Sequence, residues 1–306
     1  MIDLLLGGSP CQGFSSAGKQ LNFTDPRSRL FFDYVKALEI LKPKYFLLEN
    51  VKMKKDYQDI ISSYLGVEPI EINSTLVSAQ NRVRLYWTNI PGITQPQDKH
   101  IILSDILESD TYLEQGEYYG QKLNKATIIG RRLNAKGIRE DYNRSLSITQ
   151  CLEVRKSNTL KSNCLTTVDK DNVLTPLPIG RHPNAFKNKL PFRYYTVKEC
   201  SRLQTLPDGY LDSIPDNQAK KCLGNGWTVD VIAHILSFIP ETTLFNVVSL
   251  FDGISCGQVA LNRAKKHYNN YYASEIDKYA ITVTQTQYPD TIQLGDITTI
   301  NWTNVF

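Results

Sequence analysis

The sequence predicts an α/β protein built on one open sheet and interrupted by a polar insertion. Three observations carry this. Short apolar runs of strand length recur at Ile2–Leu6, Tyr45–Asn50 and Phe245–Phe251. Between such runs lie stretches whose apolar residues repeat with a helical period. The alternation breaks at Pro91 and Gly92 and resumes near Thr196. The expected division is residues 1–92, an insertion at 93–191, and 192–306, with the outer two forming one domain.

Element by element, Ile2–Leu6 ends in Gly-Gly, as a strand buried on both faces does. Leu30, Phe31, Tyr34, Val35, Leu38 and Leu41 keep a helical period until Pro43 stops it. "YFLLEN" reads as a second buried strand with Glu49 at its C-terminal edge. A helix is expected at Asp56–Leu65, and strands at Val67–Ile72 and Val83–Ile90. The insertion, rich in Asn, Ser, Thr and Lys, has no regular apolar pattern. After it, Thr196 and Glu199 have capping-box spacing. "GNGW" reads as a turn, with Thr228 capping an amphipathic helix that Pro240 ends. Beyond it come the strand "FNVVSLF", a helix from Cys256, the strand "YYAS", a helix from Lys278 and the strand "TIQL".

Composition restricts the function classes. With 306 residues, 41% hydrophobic and 22% charged, the chain has a globular composition, and no apolar run approaches the ~18 residues of a membrane span. "MIDLLLGG" is too short and too acidic for a secretion signal, so a cytoplasmic location is expected. The 6 cysteines show no C-x-x-C pair and no metal-ligand spacing with His, so reduced thiols and no metal are expected. Thr111–Leu190 carries 14 Lys/Arg against 7 Asp/Glu, while the whole chain has a net charge of only +4. The basic character belongs to the insertion, which points to a polyanion partner there.

Candidate chemistry falls into two halves. In the C-terminal part, three successive strand ends carry Phe251 with Gly253, then Glu275, then Asp296. Ligands of open parallel sheets lie beyond the carboxyl ends of the strands, and an acid roughly 20 residues past the first glycine turn binds ribose hydroxyls. The glycine pattern F-x-G-x-x-x-G lacks a pyrophosphate cradle, which favours a nucleoside without one. In the N-terminal part, Cys11 follows Pro10 at the end of a buried strand, where a thiol nucleophile is accessible to substrate. Glu49 closes the next strand, where a carboxyl without a partner is costly. Arg82 and Arg84 share one strand face and suit phosphate or carboxylate groups.

Together these segments resemble the DNA cytosine-5 methyltransferase family: "GGSPCQGFS", "LLENV", "QNRVR", "ECSRLQTLPDGY", "GNGWTV", "FDGISCG", "SEID" and "GDIT" match its motifs in kind. Their order differs, since the cofactor motifs normally come first and here come last. The chain therefore resembles a circularly permuted member, with a Rossmann-like class I methyltransferase sheet, an inserted target-recognition domain and neighbouring chain ends.

The resemblance implies S-adenosylmethionine as cofactor and double-stranded DNA as partner, with action as a monomer and a flipped-out cytosine. It implies Cys11 as nucleophile, Glu49 on the base, and Arg82 steadying base or phosphate with Arg84 behind it. Pro10, Gln12, Ser15 and Gln80 are implied on the substrate side, with Gly13–Arg29 as a lid. For the cofactor it implies Glu275 on the ribose, Phe251 and Asp296 on the adenine, and Asn225 at the methionine end, with Gly253, Ile254, Cys256, Ile276 and Ile297 completing the pocket. An RNA (tRNA) methyltransferase and a catalytically silent DNA-binding subunit are the alternatives.

Overall fold

The computed structural model describes residues 1–10, 29–108, 122–156, 160–240 and 245–303. Its first half holds strands β1 (Leu4–Gly7), β2 (Tyr45–Val51), β3 (Ile70–Asn73) and β4 (Val83–Thr88), with helices α1 (Leu30–Leu41), α2 (Lys55–Leu65) and the single turn α3 (Leu103–Ile106). The insertion supplies β5 (Asn124–Arg132), β6 (Ile148–Val154), β7 (Val173–Thr175), β8 (Gly180–His182) and β9 (Arg193–Tyr194). Helices α4 (Val197–Leu203), α5 (Asp216–Asn225) and α6 (Val229–Ser237) follow. The chain then runs through β10 (Phe245–Leu250), α7 (Cys256–Arg263), β11 (Tyr268–Ser274), α8 (Lys278–Gln287) and β12 (Ile292–Gln293).

The large sheet has the order β12-β11-β10-β1-β2-β4-β3. The pairs from β12 to β2 are parallel, and β4 runs antiparallel to both β2 and β3. Period-two alternation sends neighbouring side chains into opposite layers. Leu4, Leu6, Leu47 and Val247 enter one apolar layer, and Leu5, Phe46, Leu48 and Val248 enter the other. Each such leucine contributes about 1.5–3 kcal/mol by leaving water, which is why these strands read as continuous apolar runs. Helix α1 ends where Lys42 turns left-handed, at φ 45°, and its N–H bonds Leu38 O just before Pro43.

Because Leu4–Gly7 pairs in register with Val247–Leu250 and with Tyr45–Leu48, the carboxyl ends of β1, β2 and β10 lie along one edge. The next strand, β11, reaches the same edge at Ser274. Ile2 and Trp302 are buried in the same apolar layer.

The insertion forms its own antiparallel sheet, β8-β6-β5-β7-β9, around Ala126, Ile128, Leu152, Val154, Val173 and Phe192. This differs from the expected boundary at both ends. Leu103 and Ile106 pack into the large domain's core, and β9 at Arg193–Tyr194 closes the small sheet beyond residue 191. The two parts are tied together at two places. Arg193 meets Glu199 through two bonds of 2.7 Å, and Glu199 also accepts from the N–H groups of Thr196 and Glu108, each at 3.0 Å. Ser162 joins the large domain through Ala79 O at 2.6 Å and Asn81 N at 3.0 Å. Gly224 of α5 lies so close to this strap that a Cβ would stand 2.5 Å from the Thr166 carbonyl.

Candidate active site

The shared strand edge opens into a cavity of about 420 Å³. One wall carries Gly8, Ser9, Pro10, Glu49, Arg82 and Arg84, and the other carries Phe251, Gly253, Ile254, Cys256, Glu275, Ile276, Asp296 and Ile297. Asn225 and Trp227 lie between them on the segment closing α5. Two groups of residues more than 150 positions apart in sequence thus face one space. Cys11, Gln12, Ser15 and Gly13–Ser28 lie outside the described residues.

Glu49 is held from both sides. Arg84 Nε meets Oε1 at 2.9 Å, and the indole Nε1 of Trp227 donates to Oε2 at 3.2 Å. Arg82 is only 3% exposed. It gives Nη1 to Leu165 O at 2.9 Å and Nη2 to Gly226 O at 2.8 Å and Gly224 O at 3.3 Å. Its Nε is buried and has no partner among the described residues. The expected order of the arginines is therefore corrected: Arg84 contacts the acid, and Arg82 joins the insertion to the end of α5.

Gln80 is corrected as well. It is fully buried, its Nε2 donates to Leu203 O at 2.6 Å and Gln204 Oε1 at 2.8 Å, and its Oε1 accepts from Leu165 N at 3.2 Å. With its amide spent internally it holds the strap in place and does not reach a substrate. Thr228 stands at the N-cap of α6 as expected, but its hydroxyl donates to Gln204 Oε1 at 3.0 Å and makes no bond to the helix's own N–H groups. Gly224 and Asn225 belong to helix α5 and not to a turn.

On the opposite wall the chain after β10 makes a tight turn. Phe251, Gly253 and Ser255 have φ of 57°, 60° and 56°, a left-handed region costly for the two non-glycine residues and often found at ligand sites. Glu275 fixes this turn by accepting from Gly253 N at 2.8 Å, while its other oxygen accepts from Ile276 N at 2.7 Å and Asp277 N at 2.8 Å. Asp296 accepts from Thr298 N at 2.9 Å, which with the Thr298 hydroxyl lowers its carboxyl below the ordinary range. Two cysteines on the cavity are unsuited to act as nucleophiles: burial pushes the Cys222 and Cys256 thiols up to about 12.

Four site residues escaped sequence reading. Asn50 donates to Ser9 O at 3.3 Å and Ser9 Oγ at 3.1 Å, fixing the chain just before Cys11. Trp227 reads as an apolar residue in a turn, yet bonds Glu49. Gly8 leaves room for that indole, since a Cβ there would lie 2.9 Å from its Nε1. Asp252 is buried beside the cavity, bonded by the hydroxyls of Ser255 and Tyr271. Its place next to Gly253 was the available signal.

A sheet of this order, with acids at successive strand ends facing a second catalytic wall, has the architecture of a methyltransferase. The family model described as C-5 cytosine-specific DNA methylase matches residues 1–61, 74–241 and 245–305, and the chain belongs to that family. It is 30% identical over 259 residues to the Type II methyltransferase M1.ScrFI of Lactococcus lactis subsp. cremoris, a match covering 76% of this chain and 61% of that enzyme. It is 30% identical over 249 residues to the Type II methyltransferase M.HaeII of Haemophilus aegyptius, covering 76% and 72%. The structure of the Entamoeba histolytica methyltransferase EhMeth shares the fold, with a TM-score of 0.50 at 16% identity over 77% of this chain and 76% of that one. The expected DNA cytosine-5 methyltransferase is borne out at the level of the family.

Proposed function

We propose that the chain methylates carbon-5 of a cytosine flipped out of duplex DNA, using S-adenosylmethionine and a covalent bond to Cys11. The observation that carries this is the single cavity lined by Glu49 and Arg84 on one side and by Glu275 and Asp296 on the other. Its volume suits a nucleoside-sized ligand. The donor set suits this cofactor: Glu275 for ribose hydroxyls, Asp296 for an exocyclic amine, Phe251, Ile254, Ile276 and Ile297 for an adenine, and Asn225 for the methionine end. When bound there, S-adenosylmethionine supplies an electrophilic methyl group.

The protein's own groups prepare the base. Cytosine carbon-5 is a weak nucleophile until the Cys11 sulfur adds to carbon-6. Glu49, steadied by Arg84 and Trp227, accepts from the exocyclic amine and shares a proton with ring nitrogen 3, which stabilises the charge that develops as sulfur adds. Arg82, bonded to Leu165 O, Gly224 O and Gly226 O, holds the wall of the cavity on which the base is received. Once carbon-5 has taken the methyl group, its proton passes to a water molecule, and expulsion of the Cys11 thiolate restores the aromatic ring.

The strand order supports a permuted reading. Counted from β10, it becomes 3-2-1-4-5-7-6, with β10 beside the central β1. The small sheet at 124–194 acts as the target-recognition region. We further propose action as a monomer in the cytoplasm, paired with a restriction enzyme as the relatives' Type II names suggest. Among the described residues no helix is long and apolar enough to cross a membrane, and no cluster of three or more His, Cys, Asp or Glu is placed to hold a metal.

Methyl transfer from labelled S-adenosylmethionine to duplex DNA and to tRNA tests the function. Label in 5-methylcytosine of the duplex is the expected result. Label in tRNA alone establishes the RNA alternative, and label in neither supports the silent DNA-binding subunit.

A further inference from the structure

One face of the small sheet carries charge that the cavity does not use. Ala126, Ile128, Leu152 and Val154 fill the core on one side. Alternation places Arg131, Glu153 and Arg181 on the other, with Glu153 directly opposite Arg181 across β6 and β8. Glu153 accepts from Arg131 Nε at 2.8 Å and Nη2 at 3.2 Å, from Arg155 Nη2 at 3.0 Å and from Arg181 Nε at 3.2 Å. Asp141 adds bonds from Arg131 and Arg139. Four guanidiniums thus meet two carboxylates.

The hydrogen bonds, Arg131's foremost, hold the Glu153 carboxyl down at about 2, so the hub stays charged at neutral pH. The Arg155 side chain is 71% exposed and that of Arg181 35%. Each gives one nitrogen to Glu153, and its other guanidinium nitrogens have no partner among the described residues.

We propose that this face is a binding platform for the phosphate backbone of duplex DNA, with Arg155 and Arg181, oriented by Glu153, as the contacting groups. The inference rests on the DNA reading above and deepens it. A guanidinium fork matches phosphate oxygens, and one already held in place loses less freedom on binding. Phosphate contacts set affinity and register and read no sequence directly. Strand β9, at the other edge of the sheet, is the one tied to the catalytic domain through Arg193. The platform therefore grips the duplex away from the flipped base and acts on affinity, not on chemistry.

The test measures binding of the full chain to a labelled duplex across a salt series. Arg155→Gln/Arg181→Gln is expected to lower the slope of log affinity against log salt by about 2 and to weaken binding roughly tenfold or more at the lower salt concentrations. Affinity for S-adenosylmethionine and the melting temperature should stay unchanged, because both arginines are solvent-facing and Glu153 keeps Arg131. Lys36→Gln/Lys265→Gln removes the same charge elsewhere and should leave the slope as it was. An unaltered slope in the arginine pair, or equal changes in both pairs, overturns the platform alone. No duplex binding by the unaltered protein, or binding of tRNA only, overturns the DNA reading and the platform with it.

Discussion

The indole of Trp227 and the carboxylate of Glu49 share a hydrogen bond of 3.2 Å that crosses the cavity from the segment closing α5 to the end of β2. With Arg84 on the other oxygen, Trp227 sets the plane of the carboxylate that is proposed to receive the base. Trp227→Phe keeps the ring and removes the donor. Since a hydrogen bond to a charged group contributes about 1.5–3 kcal/mol, covalent capture of a trapping base should slow about 10- to 100-fold. Cofactor affinity should change little. Capture at the original rate removes Trp227 from the account. Gly8→Ala, whose Cβ would push on the same indole, should act in the same direction.

Glu275 serves both the backbone and the proposed ligand. Glu275→Gln retains size but loses the charge that three N–H groups and a ribose require. Calorimetric titration should show S-adenosylmethionine binding weakened about tenfold or more, and unchanged affinity would assign the ribose to another residue.

The Arg193–Glu199 pair controls stability and not chemistry. Glu199 is fully buried, so Glu199→Ala strands a buried guanidinium and two N–H groups. A loss of about 3–5 kcal/mol is expected, read by urea unfolding. A loss under about 1 kcal/mol contradicts this assignment.

Asp252 introduces a pH dependence. Burial raises its carboxyl to about 6, above the ordinary 3.8. The folded state therefore holds this proton more tightly than the unfolded chain does, so the contribution is fully present below about pH 4 and is lost as pH rises through 6. Asp252→Asn should flatten that part of a stability-against-pH curve by about 1–3 kcal/mol, and an identical curve contradicts it.

Much of the large sheet was legible because both of its faces are covered. Leu4–Leu6 and Tyr45–Leu48 are apolar at every position, a pattern that survives without knowledge of the partner strand. The Thr196–Glu199 box was legible because capping is local, and its two reciprocal bonds form as the spacing predicts. The small sheet was not legible. On β5 and β6 the apolar core face alternates with a face that buries the charged Arg131 and Glu153, whose pairing joins separate strands and breaks the apolar pattern. Distance along the chain hid the site's contacts. Arg82 and Arg84 were found as a pair, but which one meets Glu49 depends on how β4 pairs with β2, where Arg84 lies opposite Val51. Gln80 resembled a substrate contact because its amide partners, Leu203 and Gln204, come from more than 120 residues away.

The most direct test is mass spectrometry of the protein after incubation with S-adenosylmethionine and duplex DNA containing 5-fluorocytosine, whose fluorine blocks release of the adduct. The expected result is a stable protein–DNA conjugate that maps to Cys11, needs the cofactor, and vanishes in Cys11→Ser while calorimetry still detects cofactor binding. A conjugate at another residue, or one that persists in Cys11→Ser, contradicts the account.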